Sequence, residues 1–241
     1  MPDVPTTAAR LPVAVDIVAL TVDGDDLMVL IAKRLVPPYR GQHCLPGGFV
    51  LDGENLTQAA LRELQEETGL DATGHLEQLC TIGPLGRDPR GPVLSVAYLV
   101  LSPFVTPPRA GGDVGSAEWM PANRLPKLAF DHETILSIGI ERARAKLEYS
   151  GLATAFCDSE FTIAELRRVY EAVWGVTLDA RNFNRKVTTT AGFLQPVARR
   201  QGQPGRPAVL YRMASGADPA STILNPPVMR PGAAGATPTS L

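Results

Sequence analysis

The stretch Gly48 to Leu70, GFVLDGENLTQAALRELQEETGL, constrains this 241-residue chain more than any other segment. It describes a helix with both ends specified. Asn55 is an N-cap residue with Gln58 three positions on, and Gly69 supplies the left-handed residue on which a helix stops. Within that helix Glu63, Glu66 and Glu67 stand at i, i+3 and i+4, so their carboxylates share one face. Crowded anions repel. They form either a solvated acidic face or a site for a hard divalent cation such as Mg²⁺, which takes oxygen ligands and keeps waters and phosphates in its other positions. Gly47 and Gly48, lacking side chains, let the backbone approach the helix and offer a carbonyl to the same ion.

The same residues resemble the Nudix box, G-x5-E-x7-R-E-[apolar]-x-E-E-x-G-[apolar]. Gly48, Glu54, Arg62, Glu63, Leu64, Glu66, Glu67, Gly69 and Leu70 occupy its fixed positions. The resemblance implies an αβα sandwich with a mixed sheet. In it Glu63, Glu66, Glu67 and the Gly47 carbonyl hold Mg²⁺, and Arg62 orients the acids. Where Nudix proteins are enzymes, these glutamates serve metal-assisted cleavage of a nucleoside diphosphate linked to another group.

Charge divides the chain. Residues 1–150 hold 13 Lys and Arg against 19 Asp and Glu, a balance of −6, whereas residues 151–241 hold 10 against 6, a balance of +4. Between Thr162 and Arg212 there are 9 cations and 3 anions. Such asymmetry predicts two modules with different partners. The front half alternates apolar runs with turn signals: VAVDIVALTV and LMVLIAKR around DGDD, then LEQLCTIG and PVLSVAYLVL after the helix. The segment DHETILSIGIERARAKLEYSG, with Ile135, Ile138, Ile140 and Leu147 among charges, predicts an amphipathic helix closing the first domain. The expected organisation is α+β. Residues 1–10 form a flexible start, 11–150 the first domain, 151–214 a winged helix-turn-helix, and the Gly/Pro/Ala-rich residues 215–241 a disordered tail.

In the second module Leu166, Val169, Tyr170 and Val173 make a core-facing stripe, with Arg167 and Arg168 off it. Asp179 caps a following helix. There Phe183 and Val187 point one way, while Arg181, Asn184, Arg185 and Thr188, again i, i+3, i+4 and i+7, point another. Asn182 and Lys186 flank that ridge, and Arg199, Arg200 and Arg206 decorate the expected wing, where Gly205 and Pro207 shape a tip. These are the residue types that reach DNA bases and phosphates, or else a solvated basic face.

In RDPRG, Arg87 and Arg90 are candidates to clamp a pyrophosphate. Arg34 at the end of a strand is another, and Phe49 follows the first glycine of the box. The histidines His43, His75 and His132 match no acid or nucleophile pattern and read as structural. Cys44, Cys80 and Cys157 lie too far apart to indicate a disulfide framework or zinc site, and read as small buried apolar residues. With no apolar stretch behind a basic start and no long apolar run, neither a signal peptide nor a membrane span is expected, and a cytoplasmic protein is.

The Nudix box, RDPRG, SVAY, LAFDH, FTIAELRRVYEAVWG, RNFNRKV and GRPAVLYR, in that order, resemble the Nudix-related transcriptional regulators of NAD biosynthesis over residues 11 to 213. That resemblance implies a homodimeric repressor of NAD-synthesis or salvage genes, nucleoid-associated when bound to a palindromic operator. Its Nudix domain binds ADP-ribose as effector through Arg34, Phe49, Arg87 and Arg90. Its DNA contacts come from Arg168, Arg181, Asn182, Asn184, Arg185, Lys186, Thr188 and Arg206. Asn184 stands where the family often has a second arginine, and His43 where it often has tryptophan. A ligand-responsive regulator without significant hydrolysis is the expected function. The alternative is an active Mg-dependent ADP-ribose pyrophosphatase with an accessory basic domain.

Overall fold

Val13–Asp23 form β1 and Asp26–Arg34 form β2, an antiparallel pair closed between Asp23 and Asp26 with Gly24 at φ 58. The computed structural model describes residues 10–72, 74–103, 107–200, 208–214, 218–225 and 227–231. After the hairpin come two short strands, β3 (His43–Cys44) and β4 (Gly47–Phe49), and helix α1 (Leu56–Thr68). Then follow β5 (His75–Ile82), β6 (Leu94–Leu101), β7 (Val114–Pro121) and helix α2 (His132–Tyr149). The sheet runs β3-β2-β1-β6-β5, with β4 also on β1 and β7 on β2. β1 and β6 are parallel and the other pairs antiparallel, so the sheet is mixed.

β1 reads as a nearly unbroken apolar run because both of its faces are covered. Val15, Ile17 and Ala19 pack with Ala59, Ala60 and Leu64 of α1, while Val18 and Leu20 pack with Ile135, Ala143 and Leu147 of α2. Strand alternation puts Asp16, a buried acid, on the α2 side. The sequence expectation for α2 is corrected at two positions: Ile138 is exposed and Ile140 half-buried. Gly139 is the buried residue between them. A Cβ there would lie 2.8 Å from Val18 Cγ1, so the glycine lets helix and strand approach closely and turns Ile138 outward.

A 3-10 turn, Gly151–Phe156, leads into α3 (Ile163–Trp174) and α4 (Ala180–Thr189), then an antiparallel hairpin of β8 (Leu194–Arg200) and β9 (Ala208–Met213). Thr162 and Glu165 form a capping box before α3, Gly175 ends it at φ 68, and the Asp179 carboxylate accepts from the Asn182 N–H. The stripe Leu166, Val169, Tyr170 and Val173 is buried with Phe183, Val187 and Phe193. Tyr170 packs edge-on against Trp174 and Phe183, with centroids 4.8 and 5.2 Å away. The three cysteines are free; Cys44 is buried, while Cys80 and Cys157 are half-buried, short of the full burial expected. Among the described residues no helix is long and apolar enough to cross a membrane.

The chain beyond Met213 differs from the sequence expectation. Residues 218–225 and 227–231 are ordered against the junction of the two units rather than forming a structureless tail. Leu224 and Val228 are 2% and 6% exposed and belong to the same core as α2, α3 and α4. The Leu224 and Val228 amides donate to the carbonyls of Tyr149 and Glu148, and the Gly151 amide donates to that of Thr222. Two apolar side chains in a Pro/Ala-rich setting carry little sequence signal, yet together with these backbone bonds they offset the entropy of ordering a short strap. Residues 1–9 and 232–241, part of the expected flexible ends, lie outside the described residues.

Candidate ligand cavity and nucleic-acid interface

A cavity of about 290 Å³ opens where β1, β4, α1 and the RDPRG loop meet. Its wall brings together Arg34, Gly47, Phe49, Glu63, Glu66, Glu67, Arg87 and Arg90, residues spread from 34 to 90 in the chain. The helical part is local chemistry: Asn55 and Gln58 make the expected capping box, and Gly69 takes φ 67. β4 then lies against α1 so closely that a Cβ on Gly48 would sit 2.2 Å from Glu63 Oε1. The Gly47 amide donates to Glu67 Oε2 at 2.9 Å.

Arg62 organises the acids. Its five N–H groups donate to Glu54 Oε1 and Oε2 (2.7 and 3.0 Å), Glu63 Oε1 (2.8 Å), Glu66 Oε2 (3.1 Å) and the Phe49 carbonyl (3.0 Å). These contacts, with the Leu51 amide, hold the Glu54 carboxyl down at about 2. Glu67 behaves oppositely. Burial, with Glu63 and Asp113 nearby, pushes it up to about 8 against the pull of the Gly47 N–H and Arg34. Burial also raises Glu63. Two carboxyls raised by burial on one oxygen-rich wall fit a hard divalent cation, which would supply the missing charge. Among the described residues, no three acidic, His or Cys side chains stand as a preformed ligand cluster, because Arg62 is drawn between Glu63 and Glu66.

The arginines divide by environment. Arg34 donates through Nε to the Pro38 carbonyl at 2.8 Å, and its guanidinium lies 5.0 Å over the Phe130 ring. Arg90 pairs with Asp88 at 2.7 Å and lies 5.1 Å over the Phe49 ring. Arg87 is 6% exposed and bonds Asp131 and Asp16 at 2.8 and 2.9 Å. Sequence reasoning missed this floor of the cavity. Asp16 also accepts from Ser95 Oγ and lies 3.3 Å from His132 Nε2. Burial opposes its ionisation, but His132, Arg87 and Ser95 outweigh burial and hold it far below the usual carboxylate range. His132, read from sequence as structural, lines the cavity and accepts from the Leu45 amide at 2.9 Å on Nδ1. His43 sits on edge strand β3 opposite Lys33, and His75 pairs with Glu77. No spacing rule links positions 16, 87, 95 and 132; the one signal was an acid inside a strand otherwise apolar.

The second surface is α4. Phe183 and Val187 are buried, whereas Arg181, Asn182, Asn184, Arg185 and Thr188 are exposed and Lys186 is half-buried. Thr188 Oγ1 donates to the Asn184 carbonyl at 2.7 Å, and Arg185 Nη2 donates to Asn182 Oδ1 at 3.4 Å. Arg168 on α3 and Arg199 on β8 are exposed as well. Asn182, Arg185 and Lys186 also border a groove against Pro227–Met229 of the strap, so the ridge beyond it, Arg181, Asn184 and Thr188, is the more open part. Arg206 and the wing tip, Gly205 and Pro207, lie outside the described residues, as does the Arg200 side chain.

With both surfaces located, the comparisons become specific. The NUDIX domain family model matches residues 10–137, and the model of the NrtR DNA-binding winged helix domain matches residues 154–213. The chain is 33% identical over 204 residues to the ADPR responsive transcriptional repressor NtrR of Acinetobacter baylyi, covering 83% of this chain and 81% of that protein. It is similar to Shewanella oneidensis NrtR in a crystal structure with a 27mer DNA. There the TM-score is 0.74 and the identity 31%, over 90% of this chain and 99% of that one. The NUDIX domain of the same Shewanella protein, complexed with ADP ribose, matches with a TM-score of 0.53 and 32% identity over 59% of this chain and 94% of that one. A Nudix sandwich followed directly by this type of winged helix places the chain in the NrtR family of Nudix-domain transcriptional regulators.

Proposed function

We propose that this chain is a transcriptional repressor of NAD-synthesis or salvage genes that lets go of its operator when ADP-ribose fills the Nudix cavity. The observation that carries the reading is α4, a helix whose one face is core and whose other face exposes Arg181, Asn184 and Arg185. Exposed cations and amides on a helix held rigid from behind suit major-groove reading. The cavity supports the effector half. Arg34, Arg87 and Arg90 supply guanidinium groups for a pyrophosphate, and the Phe49 ring offers a surface for a base or ribose. Where Mg²⁺ binds, Glu63, Glu66, Glu67 and the Gly47 carbonyl would hold it, and the ion would neutralise pyrophosphate charge. Two copies of α4 match two half-sites of a palindrome, so a symmetric homodimer belongs to the reading. The protein then works in the cytoplasm, on the nucleoid while DNA-bound.

A mobility-shift titration with and without ADP-ribose tests this. Arg181→Ala or Arg185→Ala is expected to weaken operator binding by about 1 to 3 kcal/mol if the contact is to a base edge. Binding should also fall steeply with salt as phosphate contacts displace counterions. Full affinity in both variants, or a flat salt response, overturns the assignment. The second reading, an ADP-ribose pyrophosphatase, is favoured by the three glutamates collected on one wall of the cavity. Turnover in Mg²⁺ on the order of 10 per second, typical of enzymes, would put it first.

A further inference from the structure

The N-terminus of α2 is held in an unusual way. Asp131 is its N-cap residue, and an N-cap carboxylate ordinarily accepts from the amides of the first helical turn. Asp131 makes no such bond. Its carboxylate is turned onto Arg87, with Nε donating to Oδ2 at 3.0 Å and Nη2 to Oδ1 at 2.8 Å. The next residue, His132, is fastened to Asp16 and to the Leu45 amide. So the first turn of α2 is tied to the floor of the cavity through Arg87 and Asp16, while Arg87 also lines the cavity itself.

At its other end α2 is locked to the winged helix. Arg144 Nε donates to the Val173 carbonyl at 2.9 Å, and Trp174 Nε1 donates back to the Arg144 carbonyl at 3.1 Å. α2 has 18 residues, a rod of about 27 Å, with the cavity at one end and α3 at the other. Trp174 and Phe183 share a core with Tyr170, so a shift of α3 carries α4 with it.

We propose that Asp131 is the positioning residue through which occupancy of the cavity reaches the DNA-binding helix. This rests on the function proposed above and assigns its coupling to one carboxylate. A phosphate-bearing ligand competes with Asp131 for the Arg87 guanidinium, since planar forks pair with phosphate oxygens as well as with carboxylates. Once displaced, the Asp131 carboxylate has a second place to go: the N-terminal turn of α2, where the His132 and Thr134 amides now donate to the Ala129 and Asp131 carbonyls and where a negative charge is favoured by the helix dipole. The two placements of one side chain are the two states of the switch. In the first, the start of α2 is tied to the RDPRG loop through Arg87; in the second that tie is released and α2, still held at His132 by Asp16 and the Leu45 amide, tilts about that point and takes α3 and α4 with it.

The test is Asp131→Asn, which keeps the shape and a capping oxygen and removes the charge that holds Arg87, leaving Asp16 as its carboxylate partner. ADP-ribose affinity is measured by calorimetry with and without operator DNA, and operator affinity with and without ADP-ribose. The wild-type protein should show a coupling of about 5 to 150-fold, equal in both directions. In Asp131→Asn the coupling should collapse to within about twofold. Operator affinity should match that of the ligand-bound wild type, and ADP-ribose should bind free protein as tightly as wild type or tighter, because its competitor for Arg87 is gone. A merely structural role predicts the opposite, with both affinities falling together, and that result overturns the proposal. Full wild-type coupling in the variant overturns it too. Absence of coupling in the wild-type protein removes the underlying functional reading and this inference with it. Trp174→Phe checks the far end without touching the cavity. It should lower the coupling while leaving ADP-ribose affinity for free protein unchanged, and unaltered coupling there contradicts the route through α2.

Discussion

Gly48→Ala separates the proposed metal site from the fold, because one methyl group meets one carboxylate. The new Cβ would lie 2.2 Å from Glu63 Oε1, 2.5 Å from its Cδ and 2.7 Å from Oε2. Ordinary contact begins at about 3.4 Å, so the carboxylate must retreat by roughly 1.2 Å. Glu63 is the far end of a flexible side chain held by Arg62 at 2.8 Å, and it can swing away with little backbone movement. The expected stability loss is therefore near the low end of overpacking, about 1 kcal/mol in urea without metal. A ligand displaced by that distance should cost Mg²⁺ affinity about 10 to 100-fold, read by calorimetric titration. Gly47→Ala is the contrast. Its Cβ would lie 2.2 Å from the Val15 carbonyl oxygen, a backbone atom in a central strand that cannot swing aside, so this variant should lose stability instead. Unchanged Mg²⁺ affinity in a folded Gly48→Ala protein would remove Glu63 from the ligand set. A stability loss as large as that of Gly47→Ala would refute the claim that the carboxylate is free to move.

Three further outcomes follow from packing and charge. Leu224→Ala, at a site 2% exposed, should cost about 2 to 5 kcal/mol in denaturant unfolding, and a loss under about 0.5 kcal/mol would mean the strap is not part of the core. The Tyr170 hydroxyl is buried with no hydrogen-bond partner among the described residues, so Tyr170→Phe should raise stability by about 1 kcal/mol; destabilisation would reveal a partner. Burial opposes ionisation of Glu77, but His75 and Lys146 outweigh it and hold the carboxyl down at about 2. Its stabilising contribution is thus present above the ordinary glutamate value of about 4.3 and lost as pH falls toward 2. Glu77→Gln should flatten the acid limb of the stability curve, and parallel curves for the two proteins would contradict this.

Much of the architecture was legible because it depends on residues a few positions apart. The capping pair of Asn55 with Gln58 spans three residues, and the Gly69 stop is a single position whose backbone conformation only glycine takes freely. The stripe Leu166, Val169, Tyr170 and Val173 follows from helical periodicity, and so does the opposition of Phe183 and Val187 to the Arg181 ridge. The box glutamates share a face for the same reason. Tertiary structure decided what periodicity cannot reach. Asp16, Arg87, Asp131 and His132 meet only because β1 is central, the RDPRG loop folds over its end and α2 begins beside it. Pairings 71 and 44 residues apart leave no local pattern. Arg87 looked from sequence like a free cation awaiting phosphate, and packing gave it two carboxylates already. Ile138 faces solvent because close helix–sheet contact required a glycine beside it, and residues 218–225 and 227–231 are ordered because the end of α2 and the core it shares with α3 and α4 receive Leu224 and Val228. A side chain's intrinsic chemistry is written in the sequence; which partner satisfies it depends on surfaces that exist only after the distant segments have packed.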